Sequence, residues 1–182
     1  MDELIDIYDE NNNPVGVQKM KSEAHRTGLW HRAAHVWIYN SAGEILLQLR
    51  AKDKEFYPNR WDISAAGHVS AGEEPVVSGL REVKEEIGLP VSKEDLGFFR
   101  IGKSKMVYEK MLNNEFYYVY FLKFDGDSSK LRVQEEELQE ARFFPVDKIK
   151  EGLKTNQDNY VFHGEYWQDV VNHVKKLLSA KV

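Results

Sequence analysis

Apolar and polar positions change period along the chain, and the changes divide it into elements. Leu4 to Tyr8 alternates apolar with acidic residues, which predicts a half-buried strand. Asn11-Asn12-Asn13-Pro14 reads as a turn, and Val15 to Val17 as the returning hairpin strand. Lys19 to Arg32 is polar. Ala33 to Tyr39 and Glu44 to Leu49 read as two strands around the turn Asn40-Ser41-Ala42-Gly43. A basic loop, Arg50 to Arg60, leads to the short extended stretch Trp61 to Ala66. Further on, Leu96 to Ile101, Glu115 to Phe124 and Ala141 to Phe144 read as strands. Val146 to Leu153 and Glu165 to Leu178 read as helices, the second with Trp167, Val170, Val171, Val174 and Leu177 at helical spacing. Intermixed strands and helices, with no repeat or linker, predict one α/β domain over residues 1–182.

The stretch from Gly67 to Leu89 organises the rest. It reads as a glycine-entered loop followed by an amphipathic helix. Pro75 suits the first turn, and Gly88 with Pro90 the stop. At roughly 100° per residue, Val76, Leu80, Val83 and Ile87 share a face that should lie on a core. Glu82, Glu85 and Glu86 fall within an arc of roughly 100° on the opposite side. Carboxylates this close repel one another and weaken a helix. A hard divalent cation, Mg²⁺ or Mn²⁺, relieves the repulsion. A solvated acidic face is the commoner meaning of such a pattern.

The full spacing argues for the cation. Gly67, Glu73, Arg81, Glu82, Val83, Glu85, Glu86, Gly88 and Leu89 fit G-x5-E-x7-R-E-U-x-E-E-x-G-U, where U is aliphatic. Seven such identities arise by chance on the order of 10⁻⁸ per starting position. The stretch resembles the Nudix box. That resemblance implies a mixed sheet sandwiched between helices, α/β/α. It also implies hydrolysis of a diphosphate joined to another group, with Mg²⁺ or Mn²⁺ held by Glu82, Glu85 and Glu86 and by the Gly67 carbonyl. In that family the box arginine and the early glutamate hold the loop together, a role carried here to Arg81 and Glu73.

Composition narrows the partners. The net charge of −5 supplies no broad basic field for nucleic acid or an anionic membrane. The chain has no cysteine, which excludes disulfides, thiolate metal sites and cysteine nucleophiles. Its first residues, MDELIDIYDE, do not resemble a secretory signal, and no segment is long enough to span a bilayer, so the cytoplasm is expected. Oligomeric state stays open, a homodimer included. The aromatic run Phe116, Tyr117, Tyr118, Tyr120, Phe121, Phe124 is read as core and sheet surface.

Beyond the box, Lys21 to Phe144 resembles the Nudix branch that contains isopentenyl-diphosphate isomerase. Lys21 with His25, HRAAHVWIYN followed by ILLQLR, the Arg50/Lys54 pair, YPNRWDISAAGH and Asn114-Glu115 carry the likeness. It implies that Lys21, Arg50, Lys54 and Arg81 grip a diphosphate. It also implies a second divalent-metal site at His25, His31, His68 and Glu115. The departures are specific. The isomerases carry a cysteine before the Gly-His pair, where this chain has Ala66. They degrade the glutamate-rich box, which is intact here. Asn113 replaces the first glutamate of their metal site. Alanine has no proton to exchange with carbon, so the departures favour hydrolysis.

The expected reaction is water attack on phosphorus, the substrate a small diphosphate of nucleoside, sugar or isoprenoid type. A general base is needed, and a box glutamate or Glu136 or Glu137 in QEEELQE can supply it. The rival functions are an isomerase-like enzyme and a catalytically silent ligand sensor.

Overall fold

A computed structural model describes residues 2–108 and 111–180. Nine strands form one mixed sheet: β1 Leu4–Tyr8, β2 Pro14–Met20, β3 Trp30–Tyr39, β4 Glu44–Arg50, β5 Trp61–Asp62, β6 Ala65–His68, β7 Leu96–Tyr108, β8 Met111–Lys123 and β9 Leu138–Pro145. Four helices flank it: α1 Lys21–Thr27, α2 Pro75–Ile87, α3 Val146–Thr155 and α4 Tyr166–Ser179. No helix among the described residues is long and apolar enough to cross a membrane.

Strand β3 is the hub. It runs parallel to β8 from Trp30↔Asn114 to Tyr39↔Lys123, and antiparallel to β1, β4 and β6. Alternate residues of a strand face opposite sides. Ala34, Val36 and Ile38 accordingly join Val83 and Ile87 of α2 in one core layer. Trp37 and Tyr39 join Ile149 of α3 and Trp167, Val170, Val171 and Val174 of α4 in the other. Burial on both faces explains why β3 is apolar almost throughout. The expected α/β/α sandwich with a mixed sheet is the fold observed.

Pro75 opens α2 and Gly88, at φ 70°, caps it in the left-handed region, as the sequence predicts. Several boundaries differ, with β3, β8 and β9 starting earlier than expected, at Trp30, Met111 and Leu138. Helix α1 lies within the polar Lys19 to Arg32 stretch; only Ala24 of its residues is buried, so no apolar period marks it. Trp61 to Ala66 divides into β5 and β6, which pair with different partners. Strand β7 runs on to Tyr108, because the long β8 partners a stretch too polar to signal a strand.

Candidate active site

The mouth of the site is built where α2 crosses β6. Glu82 and Glu86, one turn apart, face the strand, while Glu85 faces solvent. The expectation that all three point away from the packed side is therefore corrected. Glu86 is only 6% exposed, and its Oε2 accepts the Ala66 backbone N–H at 3.0 Å. The Glu82 carboxylate lies against Gly67, where any Cβ would overlap it, so the box glycine makes room for the acid. Burial, with the Glu82 charge added, pushes the Glu86 carboxyl up to about 8. Burial also raises Glu82, although the Arg81 guanidinium works against it.

These groups line a cleft of about 360 Å³. Glu82, Glu85, Glu86 and Gly67 line it together with Lys21, Arg50 and Lys54. Residues from α1, β4, the basic loop and α2 thus converge on one cavity. Glu137 lines the same cleft and accepts a hydrogen bond from Lys54. Burial, followed by the Arg50 charge, lowers the Lys54 pKa. Glu3, which the sequence did not single out, adds a carboxylate that pairs with Lys21 at 3.3 Å and with His68 Nδ1 at 3.5 Å.

Arg81 is placed differently from the expected substrate contact. It does not line the cleft. Its Nη1 donates to Glu82 at 2.6 Å and to Glu85 at 3.3 Å. Its Nη2 donates to the His68 carbonyl at 3.2 Å and lies 3.5 Å from Glu73. This guanidinium ties the box loop to the helix, and its two Nη groups are taken up by protein acceptors, while Nε is buried without a partner.

Three of the four residues expected at a second metal site come together. His25, His31 and His68 have ring centroids 5.1 Å apart in every pairing. One ligating atom from each lies within 4.8 Å of the others. His31 is fully buried. Its Nδ1 lies 2.9 Å from the Leu29 carbonyl, which can only accept, so Nδ1 carries the hydrogen and Nε2 presents a lone pair. That Nε2 is buried without a hydrogen-bond partner. Burial, followed by the mutual repulsion that charged rings would suffer beside His31, lowers His25 to about 4 and holds His68 well below the usual range. Neutral imidazoles with convergent lone pairs fit a divalent transition metal. Glu115 pairs with His31 across β3 and β8 but lies outside the group of close ligating atoms; it pairs with His35 Nε2 at 3.6 Å and accepts from Asn113 at 3.2 Å.

A second cavity of about 410 Å³ adjoins the cleft and shares Arg50, Ala66 and His68 with it. Aromatic side chains dominate its wall, among them Phe56, Tyr57, Tyr117 and Tyr166. Two of its polar residues, His35 and Asp62, also escaped the sequence reading. Both are buried by contacts that no local motif announces.

Comparison with known proteins agrees with this geometry. The NUDIX domain profile matches residues 29–163. Nudix hydrolase 3 of Arabidopsis thaliana is 34% identical over 173 residues; the match covers 91% of this chain, which spans 22% of that protein's length. An isopentenyl-diphosphate Delta-isomerase of Serratia proteamaculans is 32% identical over 126 residues, covering 69% of each chain. A crystal structure from Deinococcus radiodurans superposes with a TM-score of 0.70 at 18% identity, covering 94% of this chain and 99% of the other.

Proposed function

Because the chain belongs to the Nudix family, in a branch related to isopentenyl-diphosphate isomerase and as one of its hydrolases, we propose that it hydrolyses a small diphosphate with a divalent cation. One observation carries this reading: Lys21, Arg50 and Lys54 line the same cleft as Glu82, Glu85 and Glu86. Neither set suffices alone. The carboxylates attract a cation but repel a diphosphate, and the basic side chains supply the missing attraction.

Glu82, Glu85 and Glu86, with the Gly67 carbonyl, would hold Mg²⁺ or Mn²⁺. When bound, the ion lowers the pKa of water and offsets charge building on phosphate oxygens. Arg50 and Lys54 orient the diphosphate, and Lys21 adds a third positive charge. Glu137, beside the Lys54 ammonium, takes the proton of the attacking water. The new O–P bond forms as the bridging P–O bond breaks, and the leaving phosphate carries away its electron pair. Arg81 positions Glu82 and Glu85 rather than touching substrate. His25, His31 and His68 would hold a second divalent ion. Substrates of nucleoside, sugar and isoprenoid type fall within this reading, with the chain acting as one domain in the cytoplasm.

The isomerase alternative is opposed at Ala66. This residue lines both cavities but offers only a methyl group, and no cysteine exists elsewhere in the chain. The silent-sensor alternative is opposed by the complete set of box glutamates. Incubation with a diphosphate panel in Mg²⁺ or Mn²⁺ is the test. Phosphate release that stops with EDTA supports hydrolysis; conversion of isopentenyl to dimethylallyl diphosphate would install the isomerase reading instead.

A further inference from the structure

We propose that His163, positioned by Asp62, is a specificity-determining residue that reads the organic group attached to the diphosphate. The inference rests on the hydrolase reading insofar as it takes the cleft to hold the diphosphate. Asp62 lines the aromatic cavity and is 7% exposed. Its Oδ2 accepts Arg50 Nη1 at 3.3 Å. Its Oδ1 lies 2.7 Å from His163 Nε2 and accepts the Ile63 N–H at 2.8 Å. One buried carboxylate therefore steadies a cation that lines the phosphate cleft and an imidazole that lines the aromatic cavity. Burial alone would raise this carboxyl, yet His163 and Arg50 hold it down at about 2.

The chain is built to bring His163 there. Tyr160 bridges Trp61 beside Asp62, and the Val161 N–H donates to the Trp61 carbonyl at 2.9 Å. Trp167 of α4 then donates its indole N–H to the Val161 carbonyl at 3.0 Å. This staple fixes the segment entering α4 against β5. With Nε2 facing Asp62, Nδ1 is the ring's remaining polar atom, and no protein partner for it occurs among the described residues.

The surroundings decide what Nδ1 meets. His35 and Tyr117 stack at 4.9 Å with 14° between their planes. Tyr166 accepts from Trp37 and lies 3.2 Å from His35 Nδ1, so these polar atoms are already engaged. The cavity thus offers flat aromatic surface together with an open polar atom, His163 Nδ1. That combination suits a ring that stacks and presents a hydroxyl or another hydrogen-bonding group. It suits an open aliphatic chain less well, because the polar atom would be desolvated without a partner.

Calorimetry with Mg²⁺ and three non-hydrolysable probes tests this: methylenediphosphonate, its adenosine ester and its isopentenyl ester. His163→Ala should weaken the adenosine ester at least about tenfold and the other two less than about twofold. His163→Asn, which returns a polar group near the Nδ1 position, should recover part of the loss. Asp62→Asn should weaken all three, because it also loosens Arg50. Equal weakening of all probes by His163→Ala, a loss confined to the isopentenyl ester, no change, or no binding of the adenosine ester by the unaltered protein would each overturn the role. Failure of the unaltered protein to bind even methylenediphosphonate would instead remove the diphosphate cleft. Thermal midpoints identify variants that fail to fold; for those, the same comparison is made with His163→Leu.

Discussion

The carboxylate of Glu86 accepts the backbone N–H of Ala66 at 3.0 Å, so the most buried acid of α2 is anchored to the strand residue that separates the two cavities. A single N–H does not offset burial and the neighbouring Glu82 charge. The Glu86 carboxyl therefore stands at about 8 against an ordinary 4.5. A raised acid pKa favours the protonated form in the folded protein. Its contribution to stability is full below about 4.5 and is lost as pH rises through about 8. In EDTA, the thermal midpoint should fall across that window. Glu86→Gln should flatten the fall, and Mg²⁺ or Mn²⁺ should counter it only in the unaltered protein. An identical pH profile for both proteins in EDTA would show that Glu86 is not the strained group.

Arg50 and Lys54 should act mainly on binding. Each faces the cleft from outside the box. Losing one charge-assisted contact costs roughly tenfold or more in affinity. Arg50→Ala and Lys54→Ala should raise KM by about that factor, with a smaller change in kcat where ground and transition states are gripped alike. Lys54→Ala carries an additional effect on kcat, since it also frees Glu137. Steady-state kinetics on the best substrate of the panel checks both; unchanged KM in both variants would place the diphosphate elsewhere.

Arg81 should behave in the opposite way. Its bonds run to Glu82, Glu85 and the His68 carbonyl. Arg81→Ala should weaken Mg²⁺ or Mn²⁺ activation by roughly tenfold or more, as losing groups that orient metal ligands does. KM measured at saturating metal should move little. A large KM effect with unchanged metal affinity would restore Arg81 to the substrate contacts.

Much of this arrangement is written in local pattern. The α2 boundaries follow from Pro75 and Gly88, and the buried β3 from its apolar run. The gathering of Lys21, Arg50 and Lys54 follows from a family likeness, not from any period in the chain. What escaped depends on tertiary contact. Periodicity puts Glu86 within the acidic arc but cannot show that β6 covers it. Glu3 immediately precedes β1, whose pattern reads only as alternation, and its approach to Lys21 and His68 comes from tertiary packing. Asp62 and His163 are 101 residues apart and meet only because the Tyr160 segment docks on β5. Arg81 was assigned to substrate because sequence shows a cation but not the acceptors around it.

The histidine cluster predicts a separable second metal. Protein dialysed against Mn²⁺ or Zn²⁺ should retain one ion that survives Glu85→Gln and is lost in His31→Ala, as read by elemental analysis. Retention by His31→Ala would mean that the buried Nε2 of His31 is not a ligand. Loss of all metal in Glu85→Gln would mean that the imidazoles hold none of their own.

Water attack on phosphorus is tested most directly by isotope. The protein is incubated in ¹⁸O-water with the best diphosphate of the panel, with Mg²⁺ or Mn²⁺ and with EDTA, and the products are weighed by mass spectrometry. Metal-dependent hydrolysis predicts one ¹⁸O in either the organic monophosphate or the inorganic phosphate, no release of the organic group as a free hydroxyl, and no product in EDTA. It also predicts that Glu86→Gln cuts the rate by about 100-fold or more. Release without ¹⁸O in phosphate, or full turnover in EDTA, would contradict it.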